Sequence, residues 1–588
     1  MKRQSYPVIK LTGGLDVSVD AILLVDKNSP NLRNIRFDQG LIRKGLGFSQ
    51  FGTVASDGLP LDGTPMLIDS FPLASGTIHY LFTTTKWVYR YISASGLYEK
   101  KNKTATTGAI SLTFVAATKK ITRDSGSFVT DGFTTGSIIT TDATLNPGPF
   151  TAVAVEALEI EVSETVVDEG PVTKTATGII PFTGDADYQF GSTIILDSVG
   201  TELYVLANGK DPIQKWDGGG GTFSDLGGWS ASPITARTLA NFKSRLVAGF
   251  TAETGTNCPW RVRWSIAGNP EDISGTGSGF VDIAETPDWV VALVPLKGKL
   301  YIFKEKSIWE LVYVGGTTVF TPELRVEGVG TYSPHSIASL GEEVVFYGND
   351  NIYIYDGLNL TPVGKNIYPL LYDTEKRIVS SAKANRFPGI YIEELKKYAL
   401  CVATLGEVPD LLLEYDFRER SWTLRDKSIL AFGTYSTPSG TTWESLSGTW
   451  SAQTWIWMEK ELLASAPTTL IADPSSYIWE DTRKTKSTDY MVFETKDWMF
   501  QHGERIVEFR IEAKGGPFTL SYSVDQGLTW PASKTFSAST DWTEYVWYVN
   551  FTCQTARLRV ESVAEDLSIK WIEPWYIPRV RSKSLTTS

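Results

Sequence analysis

Few residues in this chain have the types and spacing that enzyme chemistry needs. Its 588 residues include three histidines, His79, His335 and His502, and three cysteines, Cys258, Cys401 and Cys553, all far apart. No Cys-x-x-Cys pair occurs, so neither a zinc site nor a disulfide framework is indicated, and the thiols are expected as reduced core residues. A histidine-based metal centre or a catalytic triad has too few residues to draw on. Glycosidic cleavage needs two carboxylates at a set separation across a cleft, and no spacing among the many acidic residues nominates a pair. The run Gly218 to Gly221 lacks the Lys-Ser/Thr that completes a phosphate-binding loop. No Gly-x-Ser-x-Gly elbow accompanies a histidine. The expectation is a protein that is not an enzyme, with no catalytic, cofactor-binding or metal-ligating residues and no cofactor.

Two further constellations have chemical alternatives. SVDQGLTW, Ser523 to Trp530, matches the S-x-D-x-G-x-T-W pattern of an Asp-box. Its Asp525 can accept hydrogen bonds from nearby backbone, Gly527 permits a positive-φ turn, and Trp530 packs beneath. STPSGTTW, Ser436 to Trp443, is a degenerate echo with Pro438 in place of the aspartate. Asp-boxes occur in sialidases as turn devices remote from the chemistry, so a sialidase-like glycosidase is one rival reading. Trp443, Trp450, Trp455 and Trp457 crowd together. They suit blade-core packing or a stacking platform for a sugar, which makes a glycan-binding or host-recognition propeller the other rival.

The elements that must carry these residues are strands. GKLYIFKEKSIWELVYV (Gly298 to Val314), EEVVFYGNDNIYIYDG (Glu342 to Gly357) and TELYVLANGKDPIQKWDG (Thr201 to Gly218) each read as apolar strand, polar turn, apolar strand. Their aromatics recur from Trp216 to Trp264, Trp309 and Tyr353, in steps of 48, 45 and 44 residues. A period of about 40 to 50 residues with short strands predicts propeller blades. Aromatics at 12% and 51 glycines favour strands and tight turns over helices. The predicted fold class is all-β, a β-propeller with an inserted small β-barrel and a C-terminal β-sandwich.

Five segments follow. Residues 1–53 are N-terminal strands joining the platform and propeller, including a hairpin of Asn34 to Phe37 and Leu41 to Lys44 around Asp38-Gln39-Gly40. Residues 54–103 hold the first blade region, with the pair Thr77 to Ile92. Residues 104–178 are Thr-, Ser-, Gly- and Val-rich with regular alternation, and read as a small barrel inserted in a propeller loop. Residues 179–485 complete the propeller, with one helix candidate over Asn366 to Arg386. Residues 486–588 carry five longer alternating strands, Ile506 to Lys514, Phe518 to Asp525, Thr543 to Phe551, Ala556 to Ser562 and Leu567 to Ile577, expected as a sandwich before a polar tail.

The net charge of −12 makes the chain a poor generic binder of phosphates, though it suits a wall past which DNA slides. MKRQSYPVIKLTGG has no apolar core of a signal peptide, and WVVALVPL (Trp289 to Leu296) is too short to span a bilayer. Residence in the cytoplasm where it is made is expected, unless the protein leaves in a larger particle.

Several phrases together resemble the β-propeller tail nozzle of short-tailed bacteriophages, also called tail tubular protein B or packaged-DNA stabilisation protein. LTGGLDV with NIRFDQGLIRKGLG is similar to that family's opening Gly-Gly-Leu phrase and N-x-R-F-D-x-G-x-x-R-K stretch. WRVRWSIAGNPEDI resembles its R-V-x-W-S…G-x-P phrase. LYIFKEKSIWELVYVGG, then EGVGTYSPHSIASLGEEVVFYGNDNIYIYDG, looks like its F-K-x-x-S-I, G-x-x-S-P-x-S-I and Y-x-Y-D-G series. ITRDSGSFVTDGF looks like a small barrel of phage structural proteins. The resemblance implies a structural virion protein of the phage tail, a ring of the chain with itself, most often a homohexamer. It implies attachment below a tail adaptor and portal, possible contact with tail fibres or spikes, and passage of double-stranded DNA through the lumen during ejection.

Overall fold

The structure, a computed structural model, describes residues 3–6, 12–38, 40–54, 58–316, 318–404, 406–436, 467–481 and 485–578, the side chains of 501 and 502 excepted. The protein is an all-β propeller with a closed six-stranded barrel and a C-terminal sandwich, as its strand periodicity predicts. Seven four-stranded antiparallel sheets are its blades. The chain divides into two compact units, Gly52–Pro334 with Ser475–Tyr477, and Met1–Phe51 with His335–Pro474 and Ile478–Ser588.

The first unit holds four blades and the barrel. Blade 1 is Pro65–Pro72, Ile78–Thr84, Val88–Ile92 and Leu97–Lys100; blade 2 is Gly191–Leu196, Glu202–Ala207, Gln214–Trp216 and Ser224–Asp225. Blade 3 is Ile234–Phe242, Arg245–Glu253, Thr256–Trp264 and Gly279–Asp282; blade 4 is Val290–Leu296, Lys299–Lys304, Ser307–Tyr313 and Phe320–Glu327. Within this unit, neighbouring blades bury their faces against each other. Between blades 3 and 4, Phe242, Val262 and Trp264 meet Leu300, Ile302 and Phe320, with Trp264 edge-on to Phe320 at 5.1 Å. That approach requires a glycine at 249, where an added Cβ would meet Thr238 Cγ2 and Val290 Cγ1 at 2.9 Å.

The barrel runs from Thr104–Val115 to Glu169–Ile179; its six strands follow one another in the order first, second, fifth, fourth, third and sixth, and the sixth pairs back with the first. Its core is Leu112, Phe114, Ile121, Phe128, Ile139 and Ile160 with their neighbours. Thr104 pairs with Ile179, so the incoming and outgoing chain lie side by side, and an insertion on such adjacent ends leaves the host sheets undisturbed.

The second unit holds blades 5 to 7 and the sandwich. Blade 5 is Ala338–Ser339, Val344–Tyr347, Ile352–Tyr355 and Leu360–Pro362; blade 6 is Gly389–Ile392, Lys397–Val402, Leu411–Asp416 and Ser421–Arg425. Blade 7 takes Ala431–Tyr435, Thr468–Ala472 and Ile478–Asp481, and is completed by Ser49–Gln50 from the N-terminal segment. The helix expected over Asn366 to Arg386 is reduced to Tyr368–Leu371 and 3-10 turns at Lys365–Ile367 and Ser381–Arg386. Asp373 is one reason, because its carboxylate accepts the Glu375 and Lys376 amides at 2.8 and 3.0 Å and diverts them from a helical ladder.

The sandwich is built on Ser539–Ser562, which takes part in two sheets. Its first half pairs with Trp498–Gly515 and its second half with Met491–Glu494 and Phe518–Ser523. Two strands expected separately, Thr543 to Phe551 and Ala556 to Ser562, are therefore one, since Thr552 to Thr555 contains no turn former. Tyr522 stacks on Phe551 at 4.3 Å and joins the layers. The sheet also takes Gln4–Ser5, Leu32–Arg33 and the hairpin Ile35–Asp38 with Leu41–Lys44, partners more than 450 residues distant in sequence.

Candidate functional site

The residues singled out for chemistry do not converge. His79 lies against Trp216, ring centroids 5.0 Å apart, while His335 sits in the 3-10 turn Pro334–Ser336. Cys401 and Cys553 are buried, and burial pushes both thiols up to about 12. Cys258 departs from the expected core position and is half-exposed. The described residues hold no group of three or more His, Cys, Asp or Glu side chains arranged for a metal. Trp443, Trp450, Trp455 and Trp457, and the echo from Ser436 onward, lie outside the described residues apart from Ser436 itself.

The Asp-box is a turn. Asp525 accepts Thr529 Oγ1 at 2.5 Å, Ser523 Oγ at 2.7 Å and the Thr529 amide at 2.9 Å, and these bonds hold its carboxyl down at about 2. Gly527 has φ +87°, and Trp530 stacks beneath Arg559 at 3.9 Å. The glycine run makes no phosphate cradle, since the Gly219 amide donates to Asp217 Oδ1 at 2.9 Å and two of the run's carbonyls accept. Gly220 O takes Lys101 Nζ at 3.3 Å and Gly221 O takes Trp216 Nε1 at 3.1 Å, the opposite polarity from a phosphate cradle.

The phrases on which the sequence resemblance rests occupy defined places. LYIFKEKSIWELVY forms the two central strands of blade 4, and VVFYGNDNIYIY those of blade 5. WRVRW ends the third strand of blade 3. In the N-terminal phrase, Arg43 pairs with Asp38 at 3.0 Å across the hairpin and Lys44 Nζ donates to Ala564 O at 2.7 Å. Within blade 4, Lys304 and Asp288 form a buried ion pair at 2.7 Å. Asp288 Oδ2 accepts Ser307 Oγ at 2.8 Å, and Ser307 Oγ accepts Trp309 Nε1 at 3.0 Å. The Lys and Ser of F-K-x-x-S-I thus belong to one buried chain of polar contacts. Asp288, which completes it, had no sequence signal beyond its charge.

One cleft, of about 770 Å³, opens in the second unit. The chain Arg377 to Ala382 forms one wall, Thr404 with Asp410 and Leu411 another, and Arg33 with Asp426 a third. Each wall is anchored. Ser380 N donates to Ala403 O at 2.8 Å, and Asp410 N donates to Val402 O at 2.9 Å. Asp410 accepts the Thr404 amide at 2.7 Å and its hydroxyl at 2.6 Å. Arg33 meets Asp426 at 2.7 Å, and buried Asn34 both donates to the Asp426 carboxylate at 3.0 Å and accepts its amide at 2.9 Å. Sequence reasoning missed this site, since its walls come from four separated segments without a shared motif.

No family model and no curated protein matches the chain. Among solved structures, it is similar to the WD40 domain of Neurospora crassa Pan2, at TM-score 0.24 and 10% identity over 63% of this chain and 89% of that one. It also matches the enzymatically active domain of tailspike protein 4 from bacteriophage CBA120, at TM-score 0.13 and 12% identity over 18% of this chain and 15% of that one. Scores this low carry no functional inference, and the propeller assignment stands on the strand pairing itself.

Proposed function

We propose that this protein is a structural virion protein, the tail nozzle ring of a short-tailed phage, which retains packaged DNA and passes it onward during ejection. The observation that carries the reading is the placement of the family-like phrases. They fall on central strands of blades 3, 4 and 5, in chain order, with a barrel between blades 1 and 2 and a sandwich after blade 7. Many propellers share blade phrases, but this order with the N-terminal hairpin phrase favours the nozzle over a generic propeller. The ring is formed by copies of this chain, expected as a homohexamer, docked to a tail adaptor and portal.

Charge supplies the mechanism. Six copies of −12 sum to about −72, and a like-charged wall lowers adhesion of a moving duplex, with screening confining the effect to about 10 Å at 0.1 M salt. Retention then comes from narrowing of the conduit rather than from basic contacts. Negative-stain microscopy of the purified protein, alone and with an adaptor ring, tests the assembly: rings or tapering tubes with an axial hole are expected, and monomers in both samples would refute it. Assembled rings that retard duplex DNA with a steep salt slope would refute the low-friction wall.

A further inference from the structure

We propose that the cleft beside blade 6 binds an acidic sugar, a saccharide unit carrying a carboxylate, through Arg377, Ser380, Ser381 and Asp410. This goes beyond the nozzle reading and does not depend on it. The cleft's volume of about 770 Å³ lies within the roughly 300–1,000 Å³ of small-ligand pockets.

The charges on its walls differ in how far they are already used. Arg33 and Asp426 satisfy each other at 2.7 Å, and Asn34 holds that pair in place. Asp410 is oriented by two hydrogen bonds from Thr404, which leave further acceptor capacity on the carboxylate. Arg377 is exposed, and among the described residues no carboxylate pairs with its guanidinium. A planar fork of donors in that state suits a carboxylate, which it can hold through two parallel bonds. The Ser380 and Ser381 hydroxyls also lack hydrogen-bond partners among the described residues. Each can donate and accept, as a sugar hydroxyl does.

The combination selects the ligand class. A simple anion would use Arg377 and leave Asp410 as a repulsive neighbour. A neutral sugar would use the hydroxyls and Asp410 and leave Arg377 idle. A carboxylated sugar uses both, placing its carboxylate on Arg377 and its hydroxyls against Asp410 and the serines. The anchoring of the walls by Ser380 N to Ala403 O and Asp410 N to Val402 O means little of that geometry must be organised on binding.

Saturation-transfer NMR and calorimetry on the full chain test this with glucuronate, glucose and acetate as probes. Glucuronate is expected to bind most tightly of the three. Arg377→Ala should weaken it by about ten- to a hundredfold, the worth of a charge-assisted pair. The variant should keep the wild-type melting curve, because Arg377 has no ion-pair partner to lose. Asp410→Asn should weaken glucuronate, which loses a hydroxyl acceptor, and strengthen acetate, which loses a repulsive neighbour. Absence of glucuronate binding, equal binding of acetate, or unchanged affinity in Arg377→Ala would each overturn the proposal.

Discussion

Replacing Lys304 by methionine isolates the buried polar chain of blade 4. The Lys304 side chain is 0% exposed and that of Asp288 is 3% exposed. The ammonium donates to Ile283 O at 2.8 Å, to Thr286 Oγ1 at 2.7 Å and to Thr286 O at 3.1 Å, besides meeting Asp288. Methionine matches the stem of the side chain and removes only the charged head. Two carbonyls then lose a donor and the Asp288 carboxylate loses its cation. Breaking one partner of a buried pair costs about 3–5 kcal/mol, because the remaining charge stays dry and uncompensated. Because the chain has two compact units, a single melting midpoint is a poor readout. Hydrogen exchange of amides in Lys299–Lys304 and Ser307–Tyr313 reads the local loss directly. At about 1.4 kcal/mol per decade, protection should fall by about two to four decades where it is limited by opening of this sheet. Adding Asp288→Leu should recover part of the loss, since the orphaned charge is then gone. A fall of less than one decade, or a double variant worse than Lys304→Met alone, would refute this assignment of energy to the pair.

Three other outcomes follow from particular contacts. Gly515→Ala should destabilise the sandwich by about 3 kcal/mol or more, since Gly515 has φ +85° and a Cβ there would lie 1.4 Å from Asp566 O; denaturant unfolding of the full chain followed by tryptophan fluorescence checks it. Burial by itself raises the Glu414 carboxyl, but Lys397 and Arg425, the latter bonded at 3.0 Å, hold it below its ordinary range. A depressed folded value means stability present at neutral pH and lost as pH falls through that value. Glu414→Gln should therefore lower stability at pH 7 and flatten the acid limb, and an unchanged limb in an acid-denaturation series would contradict this. Iodoacetamide on the native protein at pH 8 should label Cys258 alone, with Cys401 and Cys553 reacting only after denaturation, as peptide mass spectrometry would record.

The readable part of the fold was local. Trp216, Trp264, Trp309 and Tyr353 all stand on third strands of blades 2 to 5, where the phrase repeats with short, similar loops. The rhythm breaks where chain is added between sheets. The barrel separates blade 1 from blade 2, and the 3-10 turns around Lys365–Arg386 separate blade 5 from blade 6. The barrel was visible because its alternation is regular and its composition shifts. The cleft was invisible because Arg33, Arg377, Thr404 and Asp410 carry no common spacing.

Strand, turn and strand were determined by the sequence itself, because alternation and turn residues act within a few positions and need no distant partner. Tertiary structure alone decided which strands pair. Gln4 lies opposite Tyr576, Ile42 opposite Ile569, and Ser49–Gln50 completes the last blade beside Ile478–Asp481. Period-two alternation marks a strand without naming its neighbour. Burial likewise gave Lys304 and Asp288 their partnership, since a charge chooses its counter-charge only after the fold has taken both from water.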